Sequence, residues 1–198
     1  MGLDGFSRRD ALKGAALLSL LAGSSVSAEP VGIARLPANA KTLVVYYSRT
    51  GNTRVVAGQL SRALGAELFE LQTIDPYPDD YDATVKQAQR ERDTGYKPPL
   101  KSGVPDLSIY SAVLLGFPIW GMSAPPVIKS FLSGHDLSGK SLMPFVTHGG
   151  YGLGSSMADI AEYAPQAELL EGFSMKADQE RETLSQLTQW LSNVKPRE

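Results

Sequence analysis

The chemistry of this chain is concentrated in six consecutive residues, Ser48-Arg49-Thr50-Gly51-Asn52-Thr53, which follow directly on the apolar run Leu43-Val44-Val45-Tyr46-Tyr47. An apolar strand that ends in a short loop of hydroxyls, one glycine and one asparagine, and then enters a helix, is built to hold a phosphate. Backbone N–H groups in such a loop point inward at an anion, and the helix N-terminus adds its partial positive charge. Serine and threonine hydroxyls donate to the remaining oxygens. The stretch contains no lysine, which suits a phosphate monoester held for long periods better than one being transferred.

Two further stretches are unusual in the same direction. Phe117-Pro118-Ile119-Trp120-Gly121-Met122-Ser123-Ala124 presents an indole beside proline and glycine, and Thr147-His148-Gly149-Gly150-Tyr151-Gly152-Leu153-Gly154 is a run of glycines. An exposed indole and bare backbone both favour the close approach of a flat ligand. Each stretch also has a plainer reading: a turn with an N-cap for the first, a core anchor for Trp120, a flexible loop for the third. His148 either caps backbone or hydrogen-bonds a ligand. Joint occurrence at three successive strand ends favours a single ligand with a phosphate and a flat ring. A different chemistry is carried by Gly121-Met122-Ser123-Ala124-Pro125, which approaches a nucleophile elbow, with Asp136 and His148 following in Ser–Asp–His order but without the second glycine.

The elements that must position these loops follow from the hydrophobic pattern. Residues 41–47 read as a strand buried on both faces. Residues 53–64 have helical spacing, with Val56, Leu60, Ala63 and Leu64 on one face and Gly65 as the stop. Strands are expected at 67–71, 111–116 and 141–147, and within 167–175, where Gly172 interrupts the run. Helices are expected over 79–93, with a thin stripe of Tyr81, Val85 and Ala88, from about Pro125-Pro126, over 155–163 and over 178–193. Strand and helix alternate throughout, the pattern of a parallel sheet covered on both faces. In such a sheet ligands bind beyond the C-terminal ends of the strands, where all three loops fall.

Composition narrows the chemistry further. The 198 residues are 42% hydrophobic and 20% charged, enough for one well-buried domain. There are no cysteines, so disulfides, thiol catalysis and cysteine-ligated metals are excluded, and two histidines rule out a histidine-rich metal site. The net charge of −2 and the lack of a basic block argue against nucleic acid as a partner. Ser7-Arg8-Arg9, an apolar run over 14–23 and Val26-Ser27-Ala28 read as an export signal cleaved after Ala28, far shorter than the ~20 residues of a membrane span. Cleavage would remove Arg8, Arg9 and Lys13 with Asp4 and Asp10, moving the net charge from −2 to −3. Residues 29–40 read as a linker and 41–195 as the folded domain, leaving no stable membrane anchor after cleavage. Gly152 and Gly154 are followed by Met157 where a dinucleotide fingerprint needs a third glycine.

The three loops together resemble the flavodoxin family, over roughly residues 41–193, and Pro76-Tyr77-Pro78-Asp79-Asp80-Tyr81 is similar to a segment of bacterial flavodoxin-like proteins. The Ser-Arg-Arg pattern resembles the twin-arginine signal, a route that carries folded proteins, which implies a periplasmic destination with cofactor already bound. The family resemblance implies a doubly wound, five-stranded parallel sheet in the order 2-1-3-4-5 and non-covalent FMN. It implies that Ser48, Thr50, Asn52 and Thr53, with the backbone of Arg49 and Gly51, hold the FMN phosphate. Pro118, Ile119, Trp120 and Gly121 would line one side of the isoalloxazine, with Trp120 stacked on it. Thr147, His148, Gly149, Gly150, Tyr151 and Gly152 would close the other side, with Tyr151 as the candidate for the second face. Relatives often carry an aromatic directly after the tryptophan, where Gly121 and Met122 stand here.

The chemistry would then lie on the flavin and not on a catalytic side chain. The expected role is an exported electron carrier or redox module acting with a partner protein or small electron acceptor. The alternative is an FMN-dependent NAD(P)H:quinone-type reductase, and the export signal weighs against it because nicotinamides are kept in the cytoplasm. A colourless binding module that has lost flavin is a further reading. Gly121 is expected to let its peptide turn over, so that a carbonyl accepts from N5–H of the reduced flavin, a gain of roughly 1 kcal/mol.

Overall fold

A run of alternating side chains that all lie inside makes the central strands of this protein. The computed structural model describes residues 36–37, 39–176 and 180–194. The expected export signal over 1–28 lies outside the described residues, as does most of the expected linker. Strand β1 (Thr42–Tyr46) leads to α1 (Asn52–Leu64), β2 (Glu67–Glu70) and α2 (Tyr81–Thr94). Strand β3 (Ala112–Pro118), α3 (Pro126–Gly134), β4 (Ser141–His148) and α4 (Ser156–Tyr163) follow. The chain closes with β5 (Glu168–Leu169), β6 (Phe173–Lys176) and α5 (Glu180–Val194).

All strand pairs are parallel, in the order β2-β1-β3-β4-β5, with β6 also on β4. The expected sheet order is therefore present, and its fifth position is filled by two short pieces. Leu142 pairs with Leu169 and Phe145 with Phe173, so the outer strand spends one residue more than β4 over the same length. That extra residue is a bulge, and it breaks the strand at the Gly172 region expected from sequence.

Both faces of the sheet are covered, and side chains alternate between two cores. Leu43, Val45, Val113, Leu115 and Phe117 join Val127, Ile128 and Phe131 of α3 and Ile160 of α4 in one core. Val44, Tyr46, Leu114, Met143 and Phe145 join Val56, Ala57 and Leu60 of α1 and Leu187 of α5 in the other. This two-sided burial is why β1, β3 and β4 read as unbroken apolar runs. Gly116 on β3 has a packing reason, since a Cβ there would overlap the Phe145 ring of β4.

One expectation needs correction. The buried face of α2 is Thr84, Ala88 and Glu91, while Tyr81 and Val85 are exposed. The polar face goes inside because its partners are supplied from just before the helix: Thr84 Oγ1 donates to Pro78 O at 2.6 Å, and Glu91 Oε2 accepts from Tyr77 Oη at 2.6 Å. The segment between α2 and β3 is also structured. It pairs antiparallel with the chain after β2 through Thr73 and Leu100 and forms a short 3-10 turn over Leu107–Ile109. Among the described residues no helix is long and apolar enough to cross a membrane, and no group of three or more potential metal ligands occurs.

Candidate functional site

The first loop leaves β1 and enters α1 through Gly51, whose φ of +96° is a conformation that L side chains rarely adopt. A Cβ at Gly51 would meet nothing within 4 Å, so glycine is required here by backbone conformation and not by space. Ser48 Oγ accepts from Gly51 N–H at 3.1 Å and closes the loop. No side chain caps α1, and no acidic residue lies in its first turn. The donors of that turn are therefore presented to an anion with nothing to repel it. Thr50 and Asn52 are exposed around this opening. The Arg49 guanidinium donates to Asp79 O at 3.1 Å and lies 5.8 Å from the Tyr81 ring centre, so it is held by the segment before α2. The residues present fit a phosphate monoester.

The second loop leaves β3 one strand away. Trp120 N–H donates to Ser123 O at 3.0 Å and Ser123 N–H to Trp120 O at 3.3 Å, a two-residue hairpin turn. Its central residues, Gly121 and Met122, have φ of +56° and +70°, the signs of a type I′ turn. Trp120 is half-buried and meets Tyr47 and Tyr77 edge to face, at 5.5 and 4.9 Å between ring centres. The core-anchor reading of Trp120 is thus part of its role. Burial raises the pKa of both Tyr47 and Tyr77 far above the ordinary value, and the Glu91 carboxylate raises Tyr77 further. Both phenols are neutral. From α2, the Arg92 guanidinium covers Gly121: Nη1 lies 3.5 Å from Trp120 O, and a Cβ at Gly121 would sit 2.7 Å from Nη2.

The third loop leaves β4 beside the second, because Pro118 pairs with Thr147 and Ile119 N–H donates to Thr147 O at 2.9 Å. Thr147 also reaches the first loop, its Oγ1 lying 2.8 Å from Thr53 Oγ1 in a buried hydroxyl pair. Thr53 and Thr147 are therefore the brace between loops one and three. His148 Nδ1 accepts from Gly150 N–H at 2.9 Å, which is the backbone-capping role. Gly149 and Gly150 are exposed, Gly152 is half-buried with a φ of +61°, and Tyr151 is 69% exposed at the rim.

The hydrolase arrangement is not assembled. Ser123 is buried and its Oγ donates to Asp159 Oδ2 at 2.6 Å, with no histidine in the pair. Asp136 Oδ1 accepts from Ser138 N–H and His148 is occupied in its own loop. Sequence reading missed Asp159, Arg92, Tyr77 and Glu91. Only the Pro76-to-Tyr81 segment carried any signal, through its resemblance.

An open, doubly wound parallel sheet with an uncapped helix start and two glycine-bearing loops at its C-terminal edge fits a class, the α/β proteins that take ligands at the strand ends. Within that class the Flavodoxin family model matches residues 41–194, and the chain belongs to the flavodoxin family. FMN is the cofactor that goes with that family. A candidate flavoprotein from Bacteroides eggerthii is 29% identical with a TM-score of 0.69, over 80% of this chain and 100% of that one. A second, from Bacteroides uniformis, is 28% identical with a TM-score of 0.69, over 77% and 98%. A flavoprotein from Lactobacillus acidophilus, solved in complex with FMN, shares the fold at 24% identity and a TM-score of 0.60, over 74% and 99%. No curated protein matches the chain.

Proposed function

We propose that this protein is an FMN-binding electron carrier or redox module. The observation that carries the reading is the uncapped, acid-free first turn of α1 behind Gly51, braced through Thr53–Thr147 to the third loop. Bound FMN supplies one- and two-electron chemistry, and the protein tunes it. The chain's own residues then have separate tasks. Ser48, Thr50, Asn52 and the backbone N–H groups of the loop, apart from that of Gly51 which Ser48 Oγ engages, would hold the phosphate. Trp120, seated on Tyr47 and Tyr77, offers its ring to one side of the isoalloxazine. The glycines of the third loop bring backbone to the other side, and Tyr151 stands at the rim.

Purified protein should be yellow, with a flavin spectrum, and should release FMN on denaturation. Colourless protein that does not take up added FMN would sink the proposal. Anaerobic addition of NADPH separates the two redox roles: a carrier keeps its colour, and rapid bleaching replaces the carrier with a nicotinamide-dependent reductase.

We further infer export to the periplasm in the folded state, with support from Ser7-Arg8-Arg9 and the apolar run that follows. Arg8→Lys with Arg9→Lys should leave the protein in the cytoplasm. Unchanged export of that variant would refute a twin-arginine route.

A further inference from the structure

The turn 120–123 holds a non-glycine residue in the left-handed region at its tip. Met122, at φ +70° and half exposed, is one of two such residues among those described. For an L-residue this region is disfavoured by roughly 5- to 30-fold, and such strain persists only where the surroundings over-determine it. The surroundings here come from α4 and the loop before it. Met122 O accepts from Ser155 N–H at 2.8 Å, and Ser155 Oγ lies 3.1 Å from the same oxygen. Ser123 Oγ donates to Asp159 Oδ2 at 2.6 Å, and Ser155 Oγ is 3.3 Å from that carboxylate oxygen as well. The other oxygen, Oδ1, faces Lys129 Nζ at 3.7 Å, and the carboxylate is only 19% exposed. Gly154 lets the two segments touch, since a Cβ there would overlap the Met122 carbonyl.

We propose that Asp159 is the positioning residue of the ring slot: through Ser123 and Ser155 it locks the strained 120–123 turn against the third loop and so fixes the gap that a flat ring enters. The inference rests on the FMN reading above for its ligand, and on the lock alone for its mechanism. Asp159 touches neither ring nor phosphate. Its effect is expected on the ring half of the site, because its bonds go to Ser123 and Ser155 whereas the phosphate cradle at 48–53 is tied to Thr147.

The test uses the full chain with Asp159→Ala, Ser123→Ala and the double variant. Riboflavin, which has the ring without the phosphate, and FMN should both bind roughly tenfold more weakly to either single variant, the loss expected for one charge-assisted bond. Inorganic phosphate, followed by the amide signals of Gly51, Asn52 and Thr53, should bind unchanged. The double variant should be no weaker than Asp159→Ala alone, since that substitution already breaks the Ser123 link. Asp159→Asn, which keeps an oxygen to accept from Ser123, should recover part of the loss and serves if the alanine variant does not fold. In FMN-loaded protein the midpoint potential should shift with Asp159→Ala and return toward wild type with Asp159→Asn. In the protein without flavin, the strong intraresidue Hα–HN cross-peak that marks positive φ at Met122 should vanish in the alanine variants. Additive losses, equal losses for phosphate and ring, or a Met122 cross-peak that survives would overturn the proposal. If the wild-type chain takes no flavin at all, the FMN reading falls, and the Met122 cross-peak still decides the lock.

Discussion

Thr53 at the start of α1 and Thr147 near the end of β4 share a hydrogen bond of 2.8 Å between their hydroxyls, across 94 positions of sequence. Both residues are buried, at 1% and 3% exposure, so neither hydroxyl has water as a substitute partner. The pair fixes the loop at 48–53 to the strand that carries the glycine loop.

Thr53→Val or Thr147→Val alone should cost about 1–3 kcal/mol, because each strands the other hydroxyl. The double valine variant should be less destabilised than the sum of the two. Urea unfolding of the flavin-free protein measures all three, and strict additivity would show that the hydroxyls do not depend on each other.

Gly51 separates conformation from space. Gly51→Ala should lose roughly 1–2 kcal/mol of stability and bind FMN more weakly, although a methyl there meets no atom. Gly51→Asn should be milder, since asparagine tolerates left-handed backbone better. Equal stability of the asparagine and alanine variants would contradict a conformational role.

Gly116 presents the opposite case. Its Cβ would overlap the Phe145 ring, which is fully buried. Gly116→Ala should be destabilised by roughly 1–3 kcal/mol through overpacking. Adding Phe145→Leu should return part of that loss, and thermal unfolding of the pair checks it.

The buried phenols make stability fall in alkali. Burial, with Glu91 acting on Tyr77, holds the pKa of Tyr47 and Tyr77 above the 10.0 of a free tyrosine. Below that value both states keep their protons and the two groups add no pH dependence. Above it the unfolded chain releases protons that the folded chain retains, so stability drops as pH rises. Tyr77→Phe should flatten this decline in urea midpoints taken between about pH 9 and 11, even though it also strands Glu91. A slope identical to wild type would remove Tyr77 from the account.

Sequence reading reached the buried parallel strands because β1, β3 and β4 are covered on both faces and leave apolar runs, while their order came from the resemblance to flavodoxins. The first loop is legible as a unit because Gly51 and its hydroxyl neighbours are contiguous. Sequence reading failed on α2, where Tyr81 and Val85 look like an inner stripe and Thr84 and Glu91 look like an outer one. Their burial depends on Pro78 O and the Tyr77 hydroxyl, partners that no helical period encodes. It failed also on Asp159, which lies 36 positions from Ser123 on another element and has the appearance of an ordinary helix acid. The residues within each loop were legible. The ties between the loops were not, because hydrogen bonds across elements have no spacing.

Leu187 of α5 lies in the same core as Val56, Ala57 and Leu60, on the inner face of the helix whose first turn opens the phosphate cradle. Helix α5 thus completes the support of α1. A chain cut before Glu180 would keep all three loops but leave that core open behind α1. Truncation before Glu180 should therefore weaken any ligand held at the first turn of α1 without removing a single loop residue.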